Sequence, residues 1–317
     1  MNAAPKPHPF PSSWYALATS RELRRGAVRP TRLAGEDVVL FRTASGAAHV
    51  TSAHCPHLGA HIGHGGTIVG ETIRCPFHGF RYDGAGGCVT TGYEGDPAFR
   101  GALRAWPVTE RNGFVFAFHA HDGAKPDWEI PEVPTDPWTE PRVHTIRLKA
   151  HVQDIHENGA DLRHFAAVHG YTNLRDDRFL TEGPHLHTEF TFDRANPFTL
   201  GLRTITSRFD TDVYGLGYAL ADIRVEALGL HFRVFILTTP VDTEHTDIRL
   251  GVSMESLPLR ARRGLPRYLP RPMIARVLVP FLHHKVVADT LQDQKIWEHK
   301  VYLDPPGLVR GDGPIGK

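Results

Sequence analysis

The sequence predicts an α+β protein, with an all-β amino-terminal half followed by an antiparallel sheet gripped by helices. Three observations carry this. Residues 14–119 alternate short apolar runs with turn signals, as small β-domains do. A proline-rich stretch, Pro126–Pro141, interrupts the pattern. Beyond it, runs rich in aromatic and β-branched residues fill 186–255 and are flanked by two helix-like segments. The break divides the chain into an expected first domain with linker over 1–140 and a second over 141–317.

In chain order, Trp14–Leu17, Val38–Phe41 and Phe114–Phe118 are apolar enough for buried strands, and the glycine-rich segments 59–70 and 84–95 are loops between them. Pro126, Pro131, Pro134, Pro137 and Pro141 surround Trp128 and Trp138 and favour an extended linker. His151–Val168 has helical character, with Gly170 placed to close it. Thr188–Phe192, Leu200–Phe209, Ile223–Val241 and Asp247–Met254 are β-like. Met273–Tyr302 is long and amphipathic enough for a helix that Pro280 kinks.

Composition narrows the functional classes. A chain of 317 residues, 41% hydrophobic and 22% charged, buries a sizeable core in about two domains. A net charge of +1 points away from nucleic acid or an anionic membrane as main partner. Three cysteines supply no disulfide framework, which suits a reducing cytoplasm. No basic-then-apolar leader is present, and the apolar run 273–282 is too short and interrupted for a transmembrane segment. Histidines number 21, so a lone one is weak evidence.

Two short clusters carry the chemistry, Cys55-Pro56-His57-Leu58-Gly59 and Cys75-Pro76-Phe77-His78-Gly79. Each offers one thiolate and one imidazole, a set suited to a [2Fe–2S] centre held by two Cys on one iron and two His on the other. Neutral imidazoles reduce the cluster's negative charge and raise its reduction potential. A structural zinc site is the competitor, but zinc pairs usually read Cys-x-x-Cys or His-x-x-x-His rather than mixed. Cys88, after Gly86-Gly87, is expected as a small strand or turn residue.

On these loops the chain resembles the Rieske proteins. Ala60 and Phe77 stand where respiratory Rieske proteins carry a disulfide-forming pair, so the loops are similar to those of Rieske ferredoxins and Rieske oxygenases. The length beyond one small domain favours an oxygenase, which implies an N-terminal Rieske [2Fe–2S] domain followed by a helix-grip (START-like) catalytic domain.

The segment Glu157 to His169 holds a second set. Glu157, Asp161 and His164 share one side of a helix, whereas His169 lies roughly 140° further round from His164. Both can reach one metal only if the helix distorts or ends near Val168. Two imidazoles and a carboxylate form the facial triad that suits Fe(II). The spacing matches the Rieske oxygenase pattern of acid, Asp, His and His. That resemblance implies His164 and His169 as ligands of a mononuclear iron, and Asp161 as the carboxylate linking it to His57 or His78 of a neighbouring subunit. His151 and His156 fall outside the pattern and are expected on the surface or in packing. The third ligand is expected at Asp293, within the Ile296-Trp297 segment typical of the family, with Asp289, one turn earlier, as its rival. Glu298 and His299 are expected to be solvated.

The family implies a homotrimer and a separate ferredoxin and/or flavoprotein reductase as electron donor, and no nucleotide fingerprint contradicts this. Arg74 and Arg81 could steer that donor or be ordinary solvated arginines. The segments Trp128–Pro134 and Ile296–Lys300 look most like the 3-ketosteroid 9α-hydroxylase and cholesterol 7-desaturase type of monooxygenase. That implies oxidation of a bulky hydrophobic, steroid-like or polycyclic, substrate by O2. Leu216, Tyr218, Leu220, Leu228, Leu230, Phe232 and Phe235 are candidate pocket or core residues. The alternatives are an aryl O-demethylase of the same family, and an electron-transfer protein without oxygen chemistry.

Overall fold

A computed structural model describes residues 9–93, 99–195, 204–255, 271–303, 305–309 and 312. Two compact units divide the chain. One comprises Pro9–Glu132 with Thr239–Thr243, and the other is built mainly from Val133–Thr238 and Glu244–Lys317.

The first unit is all β. Its strands are β1 (Ser13–Thr19), β2 (Val28–Leu33), β3 (Glu36–Arg42), β4 (Ala48–Ser52), β5 (Thr67–Val69) and β6 (Thr72–Arg74). They continue as β7 (Arg81–Tyr82), β8 (Cys88–Thr90), β9 (Ala105–Trp106), β10 (Val108–Arg111) and β11 (Phe114–His119). Among the described residues these form three small sheets, ordered β1-β11-β10, β2-β3-β4-β9 and β5-β6-β7-β8. Strand β11 is buried along its whole length, so its run of apolar residues on both faces is the mark of a central strand. Residues 239–243 join this unit because the Ala34 and Gly35 amides donate to the carbonyls of Pro240 and Val241. The hydroxyl of Thr239 adds a bond to the Ala16 carbonyl.

The second unit contains β12 (Arg142–Leu148), α1 (Val152–Glu157), α2 (Leu162–Ala167), β13 (Thr172–Glu182), β14 (His185–Ala195) and β15 (Thr204–Tyr214). It ends with β16 (Tyr218–Val225), β17 (Leu230–Pro240), β18 (Thr246–Met254) and α3 (Arg271–Trp297). One sheet takes all seven strands in the order β12-β18-β17-β16-β15-β14-β13. Helix α3 lies against it, with Ile274, Val279 and Leu282 packed among Val225, Phe232 and Val252. Each such buried aliphatic contributes about 1.5–3 kcal/mol relative to exposure. No helix among the described residues is long and apolar enough to cross a membrane.

Three expectations are corrected. His151–Val168 is not one helix: the chain leaves α1 at Asn158 and re-enters α2 at Asp161, whose backbone is extended. Asp161 Oδ1 accepts from the amides of Arg163 and His164, and this cap starts a new helix at that point. Glu157, Asp161 and His164 therefore do not share one helical face. Ile223–Val241 is likewise not one run, because Gly229, at φ +60°, turns β16 into β17. The strand expected over Leu200–Phe209 begins at Thr204, and 200–203 lie outside the described residues.

Candidate metal centres

The two cluster loops are built alike because their sequences are alike. In the first, the Cys55 amide donates to the Ala60 carbonyl at 2.9 Å and the Gly59 amide to the Cys55 carbonyl at 2.8 Å. In the second, Cys75 donates to Phe80 at 2.8 Å and Gly79 to Cys75 at 3.2 Å. Closing each turn needs a left-handed residue at its fifth position, and Gly59 (φ +75°) and Gly79 (φ +77°) provide it. The loops hang between β4 and β5 and between β6 and β7.

Inside them, Cys55 and Cys75 are 3% and 2% exposed and all three cysteines are free thiols. The rings of His57 and His78 lie 4.8 Å apart, and His57 stacks on Phe80 at 4.4 Å. The Nδ1 atoms of both histidines are buried and lack any hydrogen-bond partner. Two buried, unpaired imidazole nitrogens beside two buried thiols are costly as they stand, and fit the donor set of a [2Fe–2S] cluster. Burial pushes the Cys75 thiol up, and Cys55 beside it adds to the effect. Tyr82, fully buried, directs its hydroxyl at Cys55 Sγ over 3.1 Å. Burial first, and then Cys55, push that phenol up; with Cys55 as a thiolate ligand, which has no proton to give, the hydroxyl would be the donor to sulfur. Leu58 and Phe77, at the tips of the two loops, are 64% and 61% exposed.

The second centre lies at the ends of α2 and on α3. His164 stands in the first turn of α2; the helix stops at Ala167, and Gly170, at φ +68°, lets His169 swing back. The stop after Ala167 resolves the mismatch in helical phase between the two histidines. On α3, Leu282, Val286, Asp293 and Trp297 follow one stripe at spacings of four, seven and four. Asp293 is thus an acid on the buried face, 7% exposed.

Donor atoms of His164, His169 and Asp293 lie within 4.8 Å of one another, with His169 Nε2 3.4 Å from Asp293 Oδ1. The second ring nitrogens are committed elsewhere. His164 Nδ1 donates to the Asp161 carbonyl, and His169 Nδ1 donates to Gln292 Oε1 at 3.3 Å. Both tautomers therefore leave Nε2 facing the carboxylate, which is the arrangement a divalent metal needs. Burial lowers the His164 pKa despite the Asp161 carbonyl. Burial also pulls on His169, but the hydrogen bond to Asp293 and its charge outweigh it and the pKa rises. The form of His169 that could ligate a metal is the neutral imidazole, so with its pKa raised the metal affinity of this site would increase with pH.

Asp289, the rival third ligand, is engaged otherwise: it accepts from the Tyr171 hydroxyl at 3.2 Å. Glu157 also stands apart from the triad. It accepts from Gln153 at 3.0 Å and from Lys300 at 2.9 Å, and Lys300 reaches Asp154 at 2.7 Å. His156 is a buried packing histidine, with Nε2 3.1 Å from the Thr238 hydroxyl. Arg81 is bound to Thr72 Oγ1 and the Val69 carbonyl. Gln292, Tyr82 and Lys300 escaped the sequence reading. Only Gln292, adjoining Asp293, left a signal.

The three donors open on a cavity of about 460 Å³ between the sheet and α3. Of the candidate pocket residues, Leu228, Leu230 and Phe232 line it; Leu216, Tyr218, Leu220 and Phe235 do not. The buried side chains of Tyr218, Leu220 and Phe235 are core.

Comparison with known proteins adds three findings. A family model described as the Rieske [2Fe-2S] domain matches residues 13–106, and one described as the 3-ketosteroid 9alpha-hydroxylase C-terminal domain matches residues 117–317. Cholesterol 7-desaturase nvd of Bombyx mori is 35% identical over 98% of this chain and 68% of its own length. The oxygenase component of a 3-ketosteroid-9-alpha-monooxygenase of Rhodococcus rhodochrous is 27% identical over 98% and 82%. Among solved structures, dicamba monooxygenase bound to dicamba shares the fold, with a TM-score of 0.68 at 18% identity over 96% of this chain and 93% of that one.

Proposed function

We infer that this chain, which belongs to the Rieske non-haem iron oxygenases of the 3-ketosteroid 9α-hydroxylase and cholesterol 7-desaturase kind, oxidises a bulky apolar substrate of steroid-like or polycyclic form. The carrying observation is the cavity that His164, His169 and Asp293 share with a wall of aliphatic and aromatic side chains. Its volume falls in the range of about 300–1,000 Å³ usual for small-molecule sites.

Cys55, His57, Cys75 and His78 are the residues to hold the [2Fe–2S] cluster, and His164, His169 and Asp293 those to hold Fe(II). When bound, the cluster would supply electrons singly and the ferrous ion the chemistry of dioxygen. The chain's own residues do the positioning. The Asp161 carbonyl and Gln292 hold the two imidazoles in their tautomers. Ile223, Phe232 and Val234 exclude water from the same cavity and receive the apolar body of the substrate. Asp161 carries electronic coupling toward a cluster histidine of a neighbouring copy in a head-to-tail trimer. The exposed Leu58 and Phe77 beside the cluster histidines suit burial in such an assembly. A separate ferredoxin or flavoprotein reductase in a reducing cytoplasm supplies the electrons; three free cysteines suit that compartment.

Iron quantitation tests the reading against a pure electron carrier. About three irons per chain are expected, falling to about two in His164→Ala with the cluster's visible spectrum intact. Two irons in the unaltered protein overturn the oxygenase assignment of the second centre. A panel of steroids with a surrogate reductase, scored by oxygen uptake coupled to product, tests the substrate class. Turnover of small polar aryl ethers alone overturns it in favour of the O-demethylase.

A further inference from the structure

The cavity is apolar in depth and basic at its mouth. Phe190, Ile205, Ala221 and Phe232, all buried, form its interior. Two cations line the same cavity at its rim: Arg194, beside the exposed Ala195 at the end of β14, and Lys285, exposed on α3. Arg194 is half-buried, and its Nε is fully buried without a hydrogen-bond partner among the described residues. An arginine side chain offers donors only, so the missing partner must be an acceptor. Such an orphan is rare enough in folded proteins to ask for an explanation.

The neighbouring side chains do not supply it. The guanidinium meets the Tyr171 hydroxyl, which donates in turn to Asp289 at 3.2 Å. The Lys285 side chain makes no ion pair or hydrogen bond among the described residues. Of the acids lining the cavity, Asp293 belongs to the metal-ligand set and Asp289 is taken by Tyr171. The uncommitted charge at the rim is therefore positive. A ligand acceptor with negative charge satisfies both cations, and a planar carboxylate matches a guanidinium best. A carboxylate is too costly to desolvate deep among aliphatic groups, so it stays at the rim while an attached apolar body fills the interior.

We propose that Arg194 and Lys285 form an anion-binding rim that selects an amphipathic substrate, an apolar polycyclic body ending in a carboxylate, and orients it body-first in the cavity. The proposal names the substrate class of the site described above and so rests on the oxygenase reading.

The test is equilibrium binding to the iron-loaded holoenzyme under anaerobic conditions without reductase, followed by calorimetry. Two matched pairs serve as probes: a 3-oxo steroid acid with its methyl ester, and hexadecanoate with its methyl ester. The acid is expected to bind at least about tenfold more tightly than its ester, as one charge-assisted hydrogen bond supports. That ratio should fall toward one in Arg194→Gln, fall partly in Lys285→Met, and survive in Arg194→Lys. Equal affinity of acid and ester in the unaltered protein overturns the proposal, as does a ratio that neither variant moves. Should Arg194→Gln fail to fold, Lys285→Met, altered at an exposed position, decides. Charge preference for hexadecanoate with no steroid bound supports the rim and removes the steroid-like body. Steroids bound without charge preference keep the body and overturn the rim. Failure of all four probes to bind overturns both.

Discussion

Replacing Tyr82 by Phe removes one atom from the cluster domain and should lower the cluster's reduction potential. The tyrosine is fully buried, at 0% accessibility among Cys55, Cys75 and Phe80, so the ring of Phe refills its space. What disappears is the hydroxyl bond to Cys55 Sγ at 3.1 Å. Reduction adds a negative charge to the cluster, and a donor to sulfur stabilises the more negative state more strongly. Hydrogen bonds to charged acceptors are worth about 1.5–3 kcal/mol, and the part that grows on reduction is taken as about 0.5–1.5 kcal/mol. At about 59 mV per tenfold, or per 1.36 kcal/mol, for one electron, the potential falls by about 20–65 mV. Film voltammetry, or titration followed by the signal of the reduced cluster, reads this directly. An unchanged or raised potential refutes the assignment of Tyr82 as a donor to a cluster thiolate.

Three further expectations follow from contacts described above. Asp161→Asn keeps the cap of α2 and both metals, whereas Asp161→Ala costs about 1 kcal/mol of stability in a melt. Turnover should fall at least about tenfold in both, and near-normal turnover of the Asn form removes the carboxylate from the electron route. Burial holds His156 down to about 4, from 6.5, so the unfolded chain takes up a proton in that interval and the folded chain does not. Stability is then complete above pH 6.5 and declines by up to about 3 kcal/mol as pH falls toward 4, with a shallower decline in His156→Gln measured by urea unfolding. Lys300→Met, just beyond the end of α3, frees Asp154 and Glu157 on α1; because Lys300 is 38% exposed, the loss is held to about 1 kcal/mol, a fall in Tm of about 2–4 °C. An unchanged melt shows the pair to be screened by solvent.

The cluster loops were legible because their chemistry is local. Each is a turn of five residues that closes on its own hydrogen bonds, so Cys55-Pro56-His57 and Cys75-Pro76-Phe77-His78 keep their meaning in any surroundings. The edge strands β12 and β13 were illegible for the opposite reason. They flank the seven-stranded sheet, are mostly exposed, and carry polar residues that leave no burial pattern to read.

The amino-acid sequence by itself determined the donor types, the two cluster turns, the β-rich runs that make one large antiparallel sheet, and a long helix where α3 and its buried stripe lie. Only the tertiary structure decided which acid on that stripe joins the histidines. Asp289 and Asp293 are one turn apart on the same face, and it is Tyr171 and Gln292, with His169, that sort them. It also decided which strand face is cavity wall. Ala219, Ala221 and Ile223 point one way and Tyr218 and Leu220 the other, a parity set by the pleat. Over Tyr218–Ala221 both faces of β16 are apolar and buried, so that half of the strand does not mark which of them α3 will cover; only Asp222 and Arg224, on the face of Tyr218 and Leu220, do.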